Sequence, residues 1–485
     1  MVLSSKSYDV ASQHRHERQE EGGGRKDAPI LTPRLEESKV PIPTTTTTTT
    51  TTAINTAASA VSPVPTLTPS PAGKGLSVCV AAAFLVAEMS GSGVLALPRA
   101  LANTGWAGVP LMVLLCLAVG FAGTRLGMCW VLLEERWPEY HRPCRRPYPA
   151  IARRALGKAG YGVAVVAQTL TLMGVSTVVL ILAGDLLASL TAPLLTPCSC
   201  TGVVACLLTP ASWLATPKDF WVASVAGVMV TVLQCVVVVV MTVVRGSSSD
   251  TTTITTTTTT TQPSLSSFFL GFGTILFSFG GASTFPTIQN DMVDRTRFPL
   301  SVAMAFFVLF GLYLPVAAVG YGVLGDTVPN NILLAVSGVA VTVVRVLLFV
   351  HLLFAFIILL NPVAQGLEDV LGVPLEFGWR RSAARTCLVA VEVLVSLVLP
   401  DFQAILNLVG GSTIAIMSFV LPPLCYLRLT AAKDPAGLPF RNVGIWERVV
   451  LWGVVVMGLA GSLVTTYTAA SSLVSPAVLQ RSCLF

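Results

Sequence analysis

The sequence predicts an all-α membrane protein with eleven transmembrane helices, arranged as two inverted five-helix repeats with broken helices 1 and 6 and one additional helix. Three observations lead to this fold class. Of the 485 residues, 53% are hydrophobic and only 11% are charged, and the mean hydropathy is +0.75, which is outside the range of a soluble globular domain. Apolar runs of about 20 residues, the length of a membrane-spanning helix, recur along the chain. Two of these runs are interrupted by glycines and then by a proline.

The first 75 residues differ in composition from the rest of the chain. They are polar, rich in Pro, Ser and Thr, and contain nine consecutive threonines at 44–52. Because no apolar period is present that could build a core, we expect residues 1–75 to form a disordered cytosolic tail. No basic segment followed by a short apolar stretch and a cleavage site stands at the start, so helix 1 is expected to act as an uncleaved targeting signal.

The membrane domain is predicted to extend from residue 76 to residue 473. Ten of its apolar runs are clear by length. They are 76–102, 108–132, 161–190, 220–244, 268–286, 303–324, 331–360, 386–399, 404–427 and 449–473. A shorter run at 202–214 decides whether the total is ten or eleven, and therefore on which side of the membrane every later loop lies.

Positive charge favours eleven spans, because Lys and Arg collect in short cytoplasmic loops. With eleven spans and a cytosolic N-terminus, seventeen Lys and Arg residues lie on the inner side and only Arg99, Arg245 and Arg481 on the outer side. With ten spans the distribution is nine against eleven. Topology thus explains the net charge of +6, and a nucleic-acid partner is not required.

The outer side is predicted to carry a Thr-rich loop at 246–266 and a short C-terminal tail at 474–485. The chain has no Asn-x-Ser/Thr acceptor for N-glycosylation, whereas the threonines of the loop are candidate sites for O-glycosylation. Eleven cysteines are present, none in a pair with metal-site spacing. Four of them, Cys198, Cys200, Cys206 and Cys483, are expected near this oxidising side, where a disulfide among them is one alternative.

The two interrupted helices share one pattern. Helix 1 reads A-E-M-S-G-S-G-V-L-A-L-P from Ala87 to Pro98, and helix 6 reads F-S-F-G-G-A-S-T-F-P from Phe277 to Pro286. Their positions five helices apart indicate an inverted repeat, in which discontinuous helices meet near the bilayer midplane and form a substrate site. Glycine as a packing surface and proline as a simple kink are the alternative for either break alone. The matched pair favours a ligand site.

The chemistry of a broken helix indicates the class of ligand. Backbone N–H groups released at a break suit a carboxylate, and released carbonyl oxygens suit an ammonium group or a cation. A free amino acid is the simplest molecule with both charges. The candidate substrate-binding residues are Gly91, Ser92, Gly93, Phe279, Gly280, Gly281 and Ser283.

Four ionisable side chains are predicted at membrane depth, where a charge costs several kcal/mol unless it is paired or hydrated. Glu88 precedes the break in helix 1 by about one turn and is the favoured proton carrier, with a static ion pair to Arg345 as the alternative. His351 titrates near neutrality in its unperturbed state, with helix packing as its alternative role. Glu88, His351 and Arg345 are therefore the proton-coupling candidates, whereas Glu392 lies in no motif and is expected to be structural.

The stretch G-S-G-V-L-A-L-P, followed by Gly105-Trp106, resembles the amino acid/auxin permease family, which includes vesicular inhibitory and proton-coupled amino acid transporters. Four further segments agree with the family in the same order, at 208–221, 285–292, 361–365 and 400–413. The resemblance covers residues 75–473 apart from the Thr-rich loop. It implies a LeuT-like fold with a cytosolic N-terminus.

The resemblance also implies secondary active transport of amino acids, coupled to protons in most members and to sodium in some. Many sodium-using members carry an Asn shortly before the helix 1 glycines, where this chain has Ala87-Glu88-Met89. This difference favours the proton as coupling ion, and no organic cofactor or metal is expected.

Other classes of membrane protein fit the sequence less well. A channel needs a continuous polar pore, and an enzyme needs a nucleophile with a base or clustered metal ligands, but the chain has four histidines, two of them in the tail. An amino-acid sensor on the same scaffold and a sodium-coupled transporter remain as alternatives. The identity of the amino acid, the choice between plasma membrane and vesicular or lysosomal membrane, and any protein partners stay open.

Overall fold

Helices account for nearly all of the chain that the structure, a computed structural model, describes. These residues are 75–142, 144–213, 220–248, 263–374, 378–432, 441–474 and Cys483. The N-terminal tail, most of the Thr-rich loop and most of the C-terminal tail lie outside them, so the predictions for those segments stay predictions.

Within these ranges fourteen α-helices follow one another. They are α1 Val78–Met89, α2 Gly93–Thr104, α3 Gly108–Arg136, α4 Pro147–Thr191, α5 Pro197–Trp213, α6 Phe220–Ser248, α7 Leu265–Ser278, α8 Phe285–Asn290, α9 Phe298–Leu324, α10 Val339–Leu371, α11 Trp379–Val398, α12 Phe402–Val409, α13 Leu421–Ala431 and α14 Ile445–Leu473. The only extended pairing in the described chain is an isolated bridge between Leu76 and Met292. The predicted all-α class is confirmed.

The segments predicted as spans 1 and 6 are each built from two helices. The Ser77 hydroxyl accepts a hydrogen bond from the Val80 amide and begins α1, and Ser264 begins α7 in the same way, as expected for serine at an N-cap. Residues 90–92 separate α1 from α2, and residues 279–284 separate α7 from α8. Pro286 lies in the first turn of α8, where its missing N–H costs no helical hydrogen bond.

Seven helical stretches in the described residues are long and apolar enough to cross a bilayer. They are Gly93–Arg136, Pro147–Thr191, Val225–Ser247, Arg295–Thr327, Val339–Leu371, Phe402–Ala431 and Ile445–Leu473. The other predicted spans correspond to shorter helices, such as α1, α5 and α7, or to the more polar helix α11. The total of eleven spans therefore stays a prediction.

The stretch Phe402–Ala431 approaches α7 unusually closely. Two π-helical segments, Gly410–Ile414 and Ile416–Val420, lie between α12 and α13. A Cβ atom at Gly410 would lie 2.2 Å from the carbonyl oxygen of Gly273, so only glycine permits this backbone contact. The wide π turns and the glycine together hold the second half of the helix bundle against α7, next to the break that follows Ser278.

Two long-range ties fix the ends of the bundle. The Leu76 amide donates to the Asp291 carbonyl at 2.8 Å, and the Val293 amide donates to the Leu76 carbonyl at 3.1 Å, so the start of α1 is tied to the chain that follows α8. Cys198 forms a disulfide with Cys483, with Cα atoms 5.8 Å apart. The other two cysteines of the predicted group, Cys200 and Cys206, are free thiols.

Candidate functional site

The breaks of the two discontinuous helices lie side by side. A Cβ atom at Gly93 would lie 2.7 Å from the Cα atom of Ser278, and one at Gly281 would lie 2.6 Å from Cγ of Met89. Such distances are shorter than van der Waals contact, so glycine at both positions is what lets the two broken helices come this close beside their linkers. The predicted meeting of discontinuous helices 1 and 6 thus has a direct geometric counterpart.

Glu88 and Thr284 form a hydrogen bond between the two broken helices. Thr284 Oγ1 donates to Glu88 Oε2 at 2.5 Å, and the same hydroxyl lies 2.9 Å from the Gly281 carbonyl oxygen. A hydroxyl carries one hydrogen and can donate to only one acceptor at a time. A charged Glu88 therefore takes this hydrogen, whereas a protonated Glu88 can donate its own hydrogen to Thr284, which then donates to Gly281.

A cavity of about 120 Å³ opens where the breaks meet. One wall comes from α1 and its linker, a second from the linker and first turn of α8, and the opposite walls from α4 and α10. Apart from His351, the wall from α4 and α10 is largely apolar and includes Leu172, Val175, Val179, Phe354, Ala355 and Ile358. The polar lining side chains are Glu88, Ser92, Thr284, Thr287 and His351.

The linker of helix 1 offers backbone donors to this cavity. Gly91 and Ser92 both line it, and a Cβ atom at Gly91 would meet nothing within 4 Å. Among the described residues the amides of Gly91 and Ser92 have no hydrogen-bond acceptor. Unpaired N–H groups beside an open space are suited to an anionic group such as a carboxylate.

The predicted substrate-binding residues divide into three groups. Gly91, Ser92 and Gly280 line the cavity. Gly93 and Gly281 face the neighbouring broken helix instead, as their contacts with Ser278 and Met89 show. The sequence pattern therefore includes residues of the cavity lining and residues of the helix contact beside it, and their role in substrate binding stays a prediction.

Phe279 and Ser283 lie behind the cavity lining. The Phe279 ring is fully buried and stacks on Phe306, with a ring-centroid distance of 6.3 Å. The carbonyl oxygen of Ser283 accepts a hydrogen bond from Gln168 Nε2 on α4 at 2.8 Å. Both residues fix the shape of the helix 6 linker, one through packing and one through a bond to α4.

Two of the three proton-coupling candidates line the cavity, namely Glu88 and His351. A Cβ atom at Gly227 of α6 would lie 2.6 Å from His351 Cε1 and 3.6 Å from the Cβ atom of Ala87. His351 therefore packs against α6 beside the residue that precedes Glu88.

Arg345 lies elsewhere, toward the first residues of α10. Its Nη2 atom donates to the carbonyl oxygens of Leu333 and Val336, at 2.6 and 3.0 Å. No ion pair joins Glu88 to Arg345 in the described chain. The role of Arg345 in coupling stays a prediction, and the structure gives it a bond to backbone carbonyls.

A second cavity, of about 390 Å³, adjoins the first. We call it the vestibule; it shares Leu172, Thr287 and Pro362 with the central cavity. Arg145 and Arg146 at its rim both bind Asp369, with N–O distances of 3.0 and 2.8 Å. The vestibule thus leads from the loop between α3 and α4 to the site.

Sequence reasoning missed Thr284, Thr287 and Gln168. Thr284 stands directly before Phe285-Pro286, and a threonine before a helix-starting proline is a recognisable start signal. Thr287, in the first turn of α8, could have been placed from the same signal. Gln168 carries no local signal, since its partner lies 115 positions away.

Comparisons with known proteins agree with this architecture. The family profile described as transmembrane amino acid transporter protein matches residues 74–471. Amino acid transporter AVT1D of Arabidopsis thaliana is 25% identical over 410 residues, which cover 79% of this chain and 68% of the relative. Amino acid transporter AVT1J of the same plant is 24% identical over 403 residues, covering 79% and 88%.

A solved structure shows the same fold. The manganese transporter of Eremococcus coleocola, in complex with an aromatic bis-isothiourea substituted compound, has a TM-score of 0.51 at 15% identity and covers 84% of this chain and 90% of that one. At this identity the likeness concerns the fold alone. The family profile extends over most of the sequence, and the inference drawn from the motifs is confirmed. The chain is an integral multi-pass membrane protein, not an enzyme, and belongs to the transmembrane amino acid transporter family, among the amino acid/auxin permeases.

Proposed function

We propose that this protein is a secondary active transporter that moves amino acids across a membrane by alternating access, with proton coupling through symport or exchange. The observation that carries the proposal is the cavity at the junction of both breaks, into which the carboxyl group of Glu88 opens. The names of the relatives AVT1D and AVT1J, both amino acid transporters, support the substrate class.

The cavity suits both ends of an amino acid. The substrate carboxylate accepts hydrogen bonds from the free amides of Gly91 and Ser92. The ammonium group faces the oxygen atoms of Glu88 on α1 and of Thr284 and Thr287 beside and within α8. The apolar side chains from α4 and α10 surround the substrate side chain, which favours amino acids with an uncharged side chain.

The proton changes the contact between the two broken helices. In the charged form Glu88 accepts from Thr284, and in the protonated form the Thr284 hydrogen is released to the Gly281 carbonyl oxygen. Each form thus favours a different hydrogen-bond arrangement of the helix 6 linker. Because the substrate touches the same groups, proton occupancy and substrate occupancy influence each other. No organic cofactor takes part.

We further propose eleven spans with a cytosolic N-terminus. The disulfide between Cys198 and Cys483 supports this topology, because two cysteines joined by a disulfide must lie on the same side of the membrane. Eleven spans place both on the outer or lumenal side, whereas ten spans place them on opposite sides. In the eleven-span topology the vestibule, which Arg145 and Arg146 line, faces the cytosol, and we propose it as the substrate path on that side.

An uptake screen tests the proposal. The full chain is reconstituted into proteoliposomes, and accumulation of each labelled amino acid is measured with and without an imposed inward proton gradient. We expect at least one amino acid to accumulate above its external concentration only when the gradient is present. Saturable binding without accumulation would identify a sensor on a transporter scaffold. Accumulation driven by sodium alone would identify a sodium-coupled transporter. The target membrane, plasma or vesicular, follows from localising the intact protein in cells.

A further inference from the structure

Glu392 is a second carboxyl group buried in the bundle, separate from the central cavity. Its side chain on α11 is 0% exposed and lies against α4. Ser176 Oγ donates to Glu392 Oε1 at 2.5 Å, and Thr177 Oγ1 donates to Oε2. Both hydroxyl oxygens also lie 2.9 Å from the Met173 carbonyl oxygen.

No positive group neutralises this carboxyl in the described chain. Three helices pack against α11. Helix α5 contains no acid, no Lys or Arg and no His, and its titratable groups are the thiols Cys200 and Cys206. The charged or titratable groups on the other elements are Tyr148, Arg153, Arg154, Lys158, Tyr161 and Asp185 on α4, Arg345, His351, Glu368 and Asp369 on α10, and Arg380, Arg381, Arg385 and Cys387 on α11 itself.

Of these groups, Arg381 and Arg385, about three and two helical turns before Glu392, bind Glu368. None of the groups forms an ion pair with Glu392 among the described residues. A buried carboxylate without a cation costs several kcal/mol. The two hydroxyls lower that cost, since hydrogen bonds to an ionised group are the strong ones.

The hydroxyl pair accommodates both forms of the acid. A charged Glu392 accepts the hydrogens of Ser176 and Thr177. A protonated Glu392 donates its hydrogen to one hydroxyl oxygen, and that hydroxyl then donates to the Met173 carbonyl oxygen. Neither form leaves a buried polar atom without a partner, which is the requirement for a group that changes its protonation inside a protein.

The vestibule lies close to Glu392 along both α4 and α11. Its lining includes Leu388 of α11 and Met173 of α4. Leu388 precedes Glu392 by one helical turn, and Met173 is the residue whose carbonyl accepts from the two hydroxyls. The part of the vestibule at Leu388, which we call its inner end, is therefore about one turn, or roughly 6 Å along α11, from Glu392.

We propose that Glu392 is a second proton-binding site, which takes up and releases one proton through the vestibule and is independent of Glu88. The exchange is an acid dissociation: the O–H bond of the carboxyl breaks, the proton passes to vestibule water, and the carboxylate keeps the electron pair. The existence of this site does not depend on the function proposed above, but its use in transport rests on it.

Infrared difference spectroscopy of the full protein in lipid tests the site directly. The carbonyl stretching band of a protonated carboxyl in an apolar environment is recorded between acidic and basic pH. We expect one such band to disappear in Glu392→Gln and to remain in Glu88→Gln. An unchanged set of bands in Glu392→Gln would overturn the proposal. If that variant fails to reach the membrane, Ser176→Ala/Thr177→Val provides a second test, because the band must shift when its hydrogen-bond partners are lost.

Two matched variants test whether the proton reaches Glu392 through the vestibule. Leu388→Trp fills the inner end of the vestibule, whereas Leu394→Trp changes an exposed position of the same helix, with Leu394 55% exposed. After transfer to D₂O, hydrogen exchange of the Glu392 band is expected to slow in Leu388→Trp and to keep the wild-type rate in Leu394→Trp. Equal rates in both variants would refute the vestibule route.

Transport measurements then separate the two proposals. We expect Glu392→Gln to lower the number of protons moved per amino acid while Glu88 remains functional. An unchanged proton number together with loss of the infrared band would refute the role of Glu392 in transport. Absence of any proton-coupled uptake in the wild type would refute the proposed function and would leave the infrared result standing.

Discussion

Replacing Glu88 by Gln removes the acid that faces the central cavity and keeps its size and its contact with Thr284. The Thr284 hydroxyl can still donate to the amide oxygen, so a hydrogen bond to a charged acceptor becomes one to a neutral acceptor, a loss of about 1 kcal/mol in the free energy of unfolding. Because Arg345 donates to the Leu333 and Val336 carbonyls, no buried arginine is left without a partner. The cost of about 3 to 5 kcal/mol for breaking a buried ion pair therefore does not arise.

The expected effect on transport is far larger than the effect on stability. One proton moving down a gradient of one pH unit supplies about 1.4 kcal/mol, which supports about tenfold accumulation of substrate for each coupled proton. Glu88→Gln has no acid at the cavity to load and release, so accumulation above the external concentration is expected to be lost. Exchange of labelled for unlabelled substrate needs no net proton movement, and we expect it to continue without its pH dependence.

The assay compares gradient-driven uptake and exchange in proteoliposomes made with the same amount of folded protein. Glu139→Gln is the matched control, because Glu139 is an acid outside the cavity that binds Arg154, and it should behave as the wild type. Full pH-dependent, gradient-driven uptake in Glu88→Gln would refute the coupling role of Glu88 and direct attention to His351. Loss of exchange together with loss of folded protein would show that Glu88 is structural.

Three further outcomes follow from the structure. Gly91→Leu should abolish substrate binding in a folded protein because the leucine side chain fills the open cavity, and wild-type affinity in this variant would place the ligand elsewhere. Gly281→Ala should lower the free energy of unfolding by about 1 to 3 kcal/mol because its Cβ would lie 2.6 Å from Met89. Ligand binding measures the first effect and thermal unfolding in detergent measures the second. Cys198→Ser should break the disulfide with Cys483 and lower the free energy of unfolding by about 2 to 5 kcal/mol. Peptide mapping under non-reducing conditions checks the disulfide, and two free thiols in the wild type would contradict it. Tags at Arg146 and Arg381 should be cytosolic and one within 251–261 outer or lumenal, and accessibility on the same side would refute eleven spans.

The broken helices could be predicted because their signal is local. Glycines that interrupt an apolar run, followed by a proline six or seven positions later, show where helical hydrogen bonds must end. What the glycines face could not be predicted. Glycine permits the close approach of a ligand at Gly91 and the close approach of a second helix at Gly93, and the sequence looks alike in both cases.

The hydrogen-bond partners of the ionisable groups could not be predicted from the sequence. Glu88 meets Thr284, 196 positions away, and Glu392 meets Ser176, 216 positions away. Hydropathy places such groups at membrane depth but does not give the rotation of each helix about its axis. The sequence therefore leaves an ion pair between Glu88 and Arg345 as an alternative, whereas Arg345 binds backbone carbonyls in the structure.

Simultaneous measurement of proton and amino acid entry tests the central claim most directly. Proteoliposomes that contain the protein and an internal pH indicator are mixed with a substrate found in the uptake screen, which is added to the external solution. No pH gradient is imposed and no sodium is present. Proton-coupled symport predicts that the lumen acidifies as the amino acid enters, and that Glu88→Gln abolishes this acidification. Entry of the amino acid in the wild type with no change of internal pH would contradict proton symport at this cavity.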